Sequence, residues 1–265
     1  MKNLIMLMIM LFAGAVSVLG QEKVSVPLED AGKRGKLVVD NKSGNVTVKG
    51  VPRKDVLVQY NARGNDGGLK VEDAGGGLKK ISGNIPGLEI SSNGNTVRVV
   101  AENWLKDIDI VVETPLDFDL VVSTYKGGEV IIQNINGEIE TSNYTGPITA
   151  ENISGCLVAQ TYVGDIKASF KSISADQPMA FATYTGKIDL TLPASTKASF
   201  KMKSGNGDVY TSFDMDLQRS GSTEESKDKN GFKKIIEGWI TGKLNGGGPE
   251  FRVETHMGDI YIRKG

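Results

Sequence analysis

Over residues 128–168 apolar and polar positions alternate in short blocks, and each block starts from a glycine. Gly128, Gly137, Gly146, Gly155 and Gly164 are each followed two residues later by an aliphatic: Val130, Ile139, Ile148, Leu157 and Ile166. Four residues after the glycines stand Ile132, Thr141, Ala150, Ala159 and Ala168. The positions between are mostly polar, among them Glu129, Glu138, Glu140, Asp165 and Lys167. Alternation with period two is the pattern of a half-buried strand, whereas a helical period of 3.6 would scatter these positions round an axis. The unit returns at Gly186-Lys187-Ile188, Gly207-Asp208-Val209 and Gly258-Asp259-Ile260, and early at Gly44-Asn45-Val46. Units this short cannot bury an apolar face singly, so their recurrence predicts a stacked repeat.

The position two before glycine alternates Ile135, Tyr144, Ile153, Tyr162, which pairs the units into coils. Tyr125, Tyr144, Tyr162 and Tyr184 each head a Tyr-x-Gly triplet, and His256-Met257-Gly258 takes the same slot in the last unit. Coils of roughly 18–22 residues suit a parallel β-solenoid, with turns stacked about 4.8 Å apart. The expected fold is therefore an all-β parallel solenoid (β-helix) of about eight to ten coils, most regular over 120–212. Short strands are also expected at 37–40, 46–48, 56–58, 97–99 and 108–110, with a tight turn at Asn93-Gly94-Asn95 and a glycine-rich excursion from Gly64 to Gly77. Pro115 ends a strand and marks the start of the regular array. Residues 214–230 are rich in charge and read as an exposed mobile loop, after which closing strands return over 235–263. The last unit stops close to Gly265, which leaves little room for a cap and favours end-to-end association there.

Residues 1–20 have a different composition. Lys2 precedes an apolar run from Leu4 to Leu19, and small residues close it. That pattern predicts a secretory signal peptide cleaved before Gln21, with residues 21–265 forming one solenoid domain and no membrane span in the mature chain. Lys2 is the only charge in this segment, so cleavage takes the net charge from −1 to −2. A chain so near neutrality gives no electrostatic reason to expect nucleic acid as a partner. Cys156 is the only cysteine, so no intramolecular disulfide can form and stability must come from burial and backbone hydrogen bonds.

Catalysis needs groups that converge. With one histidine (His256) and one cysteine a hundred residues apart, no Cys–His pair or histidine metal cluster can be assembled. Glu138 with Glu140, or Asp165 with Asp189, could serve a glycosidase, but such pairs occur on any solvated β face. Calcium-binding nine-residue repeats require Gly-Gly-x-Gly-x-Asp in each unit, and here the residue after glycine includes Pro147, Cys156 and Lys187. No cofactor and no metal is expected. The tyrosines remain the sharpest candidates. Their alternation with Ile135 and Ile153 predicts a core stack at one corner of each coil, with His256 as a corner histidine. Facing outward, the rings would instead form a binding ladder for sugar rings or an apolar partner surface.

Gly137-Glu138-Ile139-Glu140-Thr141-Ser142-Asn143-Tyr144-Thr145-Gly146-Pro147-Ile148 resembles the bacterial exported "putative adhesin" β-solenoid family, a domain of unknown function. So do Ile240-Thr241-Gly242-Lys243-Leu244-Asn245-Gly246-Gly247-Gly248-Pro249-Glu250 and Glu254-Thr255-His256-Met257-Gly258-Asp259-Ile260-Tyr261-Ile262. The resemblance covers most of 35–263. It implies a right-handed all-β solenoid at or beyond the cell envelope, on the cell surface, in the extracellular space or in the periplasm. It brings no catalytic residues with it. The function expected is a non-enzymatic, adhesin-like binding module with a protein or glycan ligand. The alternatives are a self-associating envelope scaffold or a carbohydrate-active β-helix enzyme.

Overall fold

The computed structural model describes residues 22–63, 70–75, 78–82, 87–228 and 231–265, and all regular structure among them is β-strand. The predicted signal segment lies outside these residues. So does most of the Gly64–Gly77 excursion, of which Lys70–Gly75 pairs antiparallel with Leu78–Ser82.

Each coil contributes one strand to each of two faces, and in most coils the strand on the first, longer face is the longer of the two; the coil of 96–114 is an exception, with six residues against seven. The strands of the longer face are Thr96–Ala101, Gly35–Ser43, Phe118–Lys126, Asn136–Thr145, the second half of Ile148–Val163, Met179–Thr185, Glu250–Met257 and Ala198–Asn206. In that spatial order neighbours pair parallel. The strands of the shorter face follow the same order: Ile108–Thr114, Val46–Gly50, Val130–Gln133, the first half of Ile148–Val163, Ile166–Ile173, Ile188–Leu192, Ile260–Lys264 and Val209–Thr211. Register fixes the length of a coil. Leu120 pairs with Ile139, Ile139 with Leu157 and Ala159 with Phe181, so successive coils take 19, 18 and 22 residues.

The core is a set of apolar columns between the two faces. Leu37, Leu120, Ile139 and Leu157 stack on the longer face, and Val46, Val130, Ile148, Ile166, Ile188 and Ile260 on the shorter; all are buried. Each such side chain contributes about 1.5–3 kcal/mol relative to exposure. The inward positions are those two and four residues after glycine, as the alternation predicts. Pro115 directly follows the strand Ile108–Thr114, and Asn93-Gly94-Asn95 turns the hairpin between Leu88–Asn93 and Thr96–Ala101.

Two expectations change. Stacking order is not chain order. The coil of residues 35–50 lies inside that of 96–114, and the coil of 250–264 lies between those of 179–192 and 198–211. The last unit is therefore internal, and the missing cap inferred from its position near Gly265 does not describe either end of the stack. At one end Asp55–Ala62 runs antiparallel to Ile108–Thr114, and Glu22–Pro27 covers Asp55–Ala62 in turn. The second change is the charged segment 214–230. Asp216–Asp228 is a strand, antiparallel to Gly231–Leu244, which itself pairs with Ala198–Asn206. Low hydrophobicity reads as a loop, whereas here the backbone groups are satisfied by residue-by-residue pairing from Asp216 with Lys243 to Asp228 with Gly231.

Candidate functional site

The site rests on one corner of the coils, where the longer strand ends and the shorter begins. At Gly146 the backbone takes φ of 144°, open only to glycine, and a Cβ there would collide with the Gly128 carbonyl of the preceding coil. The same close approach recurs from coil to coil, which explains the glycine period. It also leaves corner carbonyls without a backbone donor, and the residue three before glycine supplies one. Asn143 Nδ2 donates to the Gly128 carbonyl (2.7 Å), Thr161 Oγ1 to Gly146 (3.0 Å), Thr183 Oγ1 to Gly164 (2.9 Å), Thr255 Oγ1 to Gly186 (2.9 Å) and Ser204 Oγ to Gly258 (2.8 Å). The residue after glycine completes the corner from the other side: Asn45 accepts from the Glu129 N–H, Asp165 from Lys187 and Asp259 from Asp208, each at 2.9–3.0 Å, and Asp109, which follows Ile108 in the end coil, accepts from the Asn45 N–H at 2.9 Å. Pro147 has no N–H to satisfy. Of the carboxylates that follow glycine, Asp165 and Asp259 are thus turned along the stack onto backbone amides.

Strand parity then decides where the tyrosines point. In Asn136–Thr145 the inward residues are Ile139, Thr141 and Asn143, so Tyr144 faces out. Tyr125, Tyr144, Tyr162 and Tyr184 are 46, 44, 45 and 43 % exposed. The expected core stack is therefore replaced by an external one. Ile135 and Ile153, which shared the tyrosine's offset from glycine, are buried at the opposite corner. The four rings stack nearly parallel, with centroids 4.7, 5.2 and 4.9 Å apart and interplanar angles of 5°, 5° and 10°. His256 is exposed and extends the stack at 4.6 Å from Tyr184, so it is not a core histidine. Trp104 closes the other end edge-on at 4.9 Å from Tyr125, with the Lys42 ammonium 5.9 Å from its own ring. Sequence reading missed Trp104, because it comes from a segment outside the Tyr-x-Gly register.

Stacking covers the ring faces and leaves edges and hydroxyls outward. Beside the ladder runs a shallow groove. One part, about 550 Å³, is bounded by Tyr125, Tyr144 and Tyr162 and floored by Ser123, Ser142 and Gln160. It continues past Gln160 and Thr161 into a second part of about 380 Å³ lined by Ala182, Tyr184, Lys203, Glu254 and His256. The charges at its two ends are paired: Lys42 with Asp40 at 2.8 Å, and Glu254 with Arg252 at 2.8 Å and Lys203 at 3.9 Å. Beyond Lys203, the buried Trp239 lies under Lys201, Lys203 and Arg252 at 4.7–5.3 Å.

The other sequence candidates lie apart from this groove. Asp189 is bound to Arg263 at 2.7 Å, and Asp165 meets the Lys187 ammonium at 3.6 Å as well as its amide. Glu138 and Glu140 are exposed on the outer surface of the longer face. Cys156 is buried opposite Glu138, and burial pushes its thiol pKa up. On the shorter face Tyr210 stacks on Tyr261 at 4.9 Å, where the Asp208 and Asp259 carboxylates hold the Tyr210 phenol above its usual pKa. Among the described residues no group of three or more His, Cys, Asp or Glu side chains is placed to hold a metal ion, and no helix is long and apolar enough to cross a membrane.

The sequence matches the Toastrack DUF4097 profile over residues 5–263. The chain belongs to the Toastrack DUF4097 family. In fold this Toastrack chain is similar to a "putative cell adhesion protein" from Clostridium sporogenes ATCC 15579, with a TM-score of 0.52, 13 % identity, and coverage of 92 % of this chain and 99 % of that one. A "putative adhesin" from Bacteroides fragilis NCTC 9343 aligns at 10 % identity with a TM-score of 0.33, over 92 % of this chain and 96 % of that one. No curated protein matches the sequence. At 13 % identity the likeness to the Clostridium protein is one of fold.

Proposed function

We propose that this Toastrack chain is an exported, non-enzymatic adhesin-like module, a right-handed solenoid whose contact surface is the tyrosine ladder and the groove beside it. Residues 1–20 are its cleaved secretory signal. The observation that carries this reading is the external stack. Four tyrosines, a tryptophan and a histidine stand in line on the solvent side, where filling the core does not call for aromatic rings. The coils hold the line rigid, so a ligand meets a surface already in its binding geometry.

The scaffold alternative draws less support. The strand Val209–Thr211 at one end is only three residues long, and antiparallel strands cover the flanks of both end coils, which leaves little free edge for polymerisation. Adherence of the producing cells tests the adhesin reading. A strain carrying Tyr125→Ser, Tyr144→Ser, Tyr162→Ser and Tyr184→Ser together should adhere to matrix-coated surfaces no better than a strain lacking the protein. Wild-type adherence with the folded variant present on the cells would sink the proposal.

A further inference from the structure

The groove beside the ladder repeats. Ser123, Ser142, Gln160 and Ala182 lie opposite one another in successive strands, and Tyr125, Tyr144, Tyr162 and Tyr184 form the wall with the same step. A ligand lying along the stack makes equivalent contacts at every coil only if its own units advance by about the 4.7–5.2 Å between rings. An extended peptide advances about 3.3 Å per residue and drifts out of step within one coil. A polyproline-type peptide, at about 3.1 Å per residue, drifts further. A glycan whose pyranose rings are linked through equatorial bonds at both ends is extended, and each sugar advances it by one ring length, close to the coil spacing.

Charge narrows the class. Between the end pairs Asp40–Lys42 and Lys203–Glu254 the groove carries hydroxyl and amide groups and no ionised side chain. A polyanion would find no unpaired cation there, and a polycation no unpaired carboxylate. Among the described residues the hydroxyls of the four tyrosines, Ser142 Oγ and the Gln160 amide make no hydrogen bond within the protein, so they are available to a hydroxyl-rich ligand. Ring faces are covered by their neighbours, so no sugar can intercalate or stack on them within the ladder.

We propose that the groove binds a neutral, extended, β-1,4-type glycan along the stack axis, one sugar per coil, held by the tyrosine hydroxyls, Ser142 and Gln160. This rests on the adhesin reading and gives its ligand a chemical class. Because each sugar gains only edge contacts and hydrogen bonds, affinity accumulates with length.

The test is calorimetric titration of the full chain with cello-oligosaccharides and fully N-acetylated chito-oligosaccharides, both neutral, from dimer to hexamer. Malto-oligosaccharides, whose axial linkage coils the chain, and polygalacturonate, a polyanion, are the controls. Affinity should rise with each added sugar up to four or five units and then level off, with neither control binding. Gln160→Ala and Tyr144→Phe, which keep the coil and the stacked ring, should each weaken the hexamer about fivefold, with melting temperatures close to wild type. Failure of every neutral β-linked oligomer to bind overturns the proposal. So does binding without length dependence, or equal binding of the malto series, or wild-type affinity in both variants. If adherence nevertheless depends on the ladder tyrosines, the adhesin reading survives with a protein surface as its ligand. If adherence is indifferent to them, both readings fall.

Discussion

Thr183→Val removes one hydroxyl and keeps the shape of the side chain, so it isolates the donor that closes a corner of the stack. Thr183 is 6 % exposed, and its Oγ1 lies 2.9 Å from the Gly164 carbonyl oxygen. The nearby Lys187 N–H is engaged by the Asp165 carboxylate at 2.9 Å, so it does not replace the lost donor. Leaving a buried carbonyl without its donor costs about 1–3 kcal/mol. The new methyl group buries apolar area worth up to about 0.8 kcal/mol, which offsets part of the loss. The expected net destabilisation is about 1–2 kcal/mol, or about 2–8 °C in melting temperature for a chain of this size. Guanidinium unfolding followed by circular dichroism measures it, with an unchanged m-value as the sign that the denatured state is unaffected. Thr183→Ser keeps the hydroxyl and should lose less than the valine variant. Thr161 and Thr255 flank Thr183 on either side in register, two coils apart from each other, so Thr161→Val and Thr255→Val should add within about 0.5 kcal/mol. A Thr183→Val variant within about 0.3 kcal/mol of wild type, or one no worse than Thr183→Ser, would refute the idea that side-chain donors hold the corners.

Tyr144 stacks on two neighbours, so Tyr144→Ala should cost about 1–3 kcal/mol at about 0.5–1.5 kcal/mol per ring pair, while Tyr144→Phe should unfold with wild type in the same assay. Gly164→Ala forces a Cβ against the Gly146 carbonyl at φ of 158° and should be among the worst single changes in the chain, at about 3 kcal/mol or more; a normal melting curve would contradict the close approach. Asp55 is held below its usual pKa chiefly by hydrogen bonds from Arg53 and Ser25, so its stabilising contribution is full above about pH 3.9 and is lost as the pH falls through the lower folded value. The protection factors of the amides in Glu22–Pro27, paired to Asp55–Ala62, should therefore fall in acid before those of the coils, and Asp55→Asn should flatten that dependence. Protease added to intact cells should remove the protein if it is surface-exposed, whereas protection until the cells are broken would assign it to the periplasm.

The sequence by itself determined the half-coil. Glycine is required where the backbone takes a positive φ and where one coil's carbonyl touches the next, and neither requirement can be hidden by context, so its spacing is legible directly. Parity from Ile139 also decides that Tyr144 faces out; reading the tyrosine by its offset from glycine, which Ile153 shares, obscured this because the two corners of a coil have the same offset and opposite facing. The threonines and asparagines three before glycine were equally visible as letters, but their role follows only from which carbonyl lies above them. The order of the coils is of a different kind. Every coil carries the same in-and-out pattern, so the pattern cannot rank neighbours, and nothing local says that 250–264 should insert between 179–192 and 198–211 rather than follow 198–211 in chain order. That choice, the ribbon formed by 216–228 and 231–244, and the joining of Trp104 and His256 to the four tyrosines were decided by the tertiary structure. Each brings together backbone edges or rings that lie tens of residues apart, and their pairing is set by which arrangement satisfies all the hydrogen-bonding edges at once.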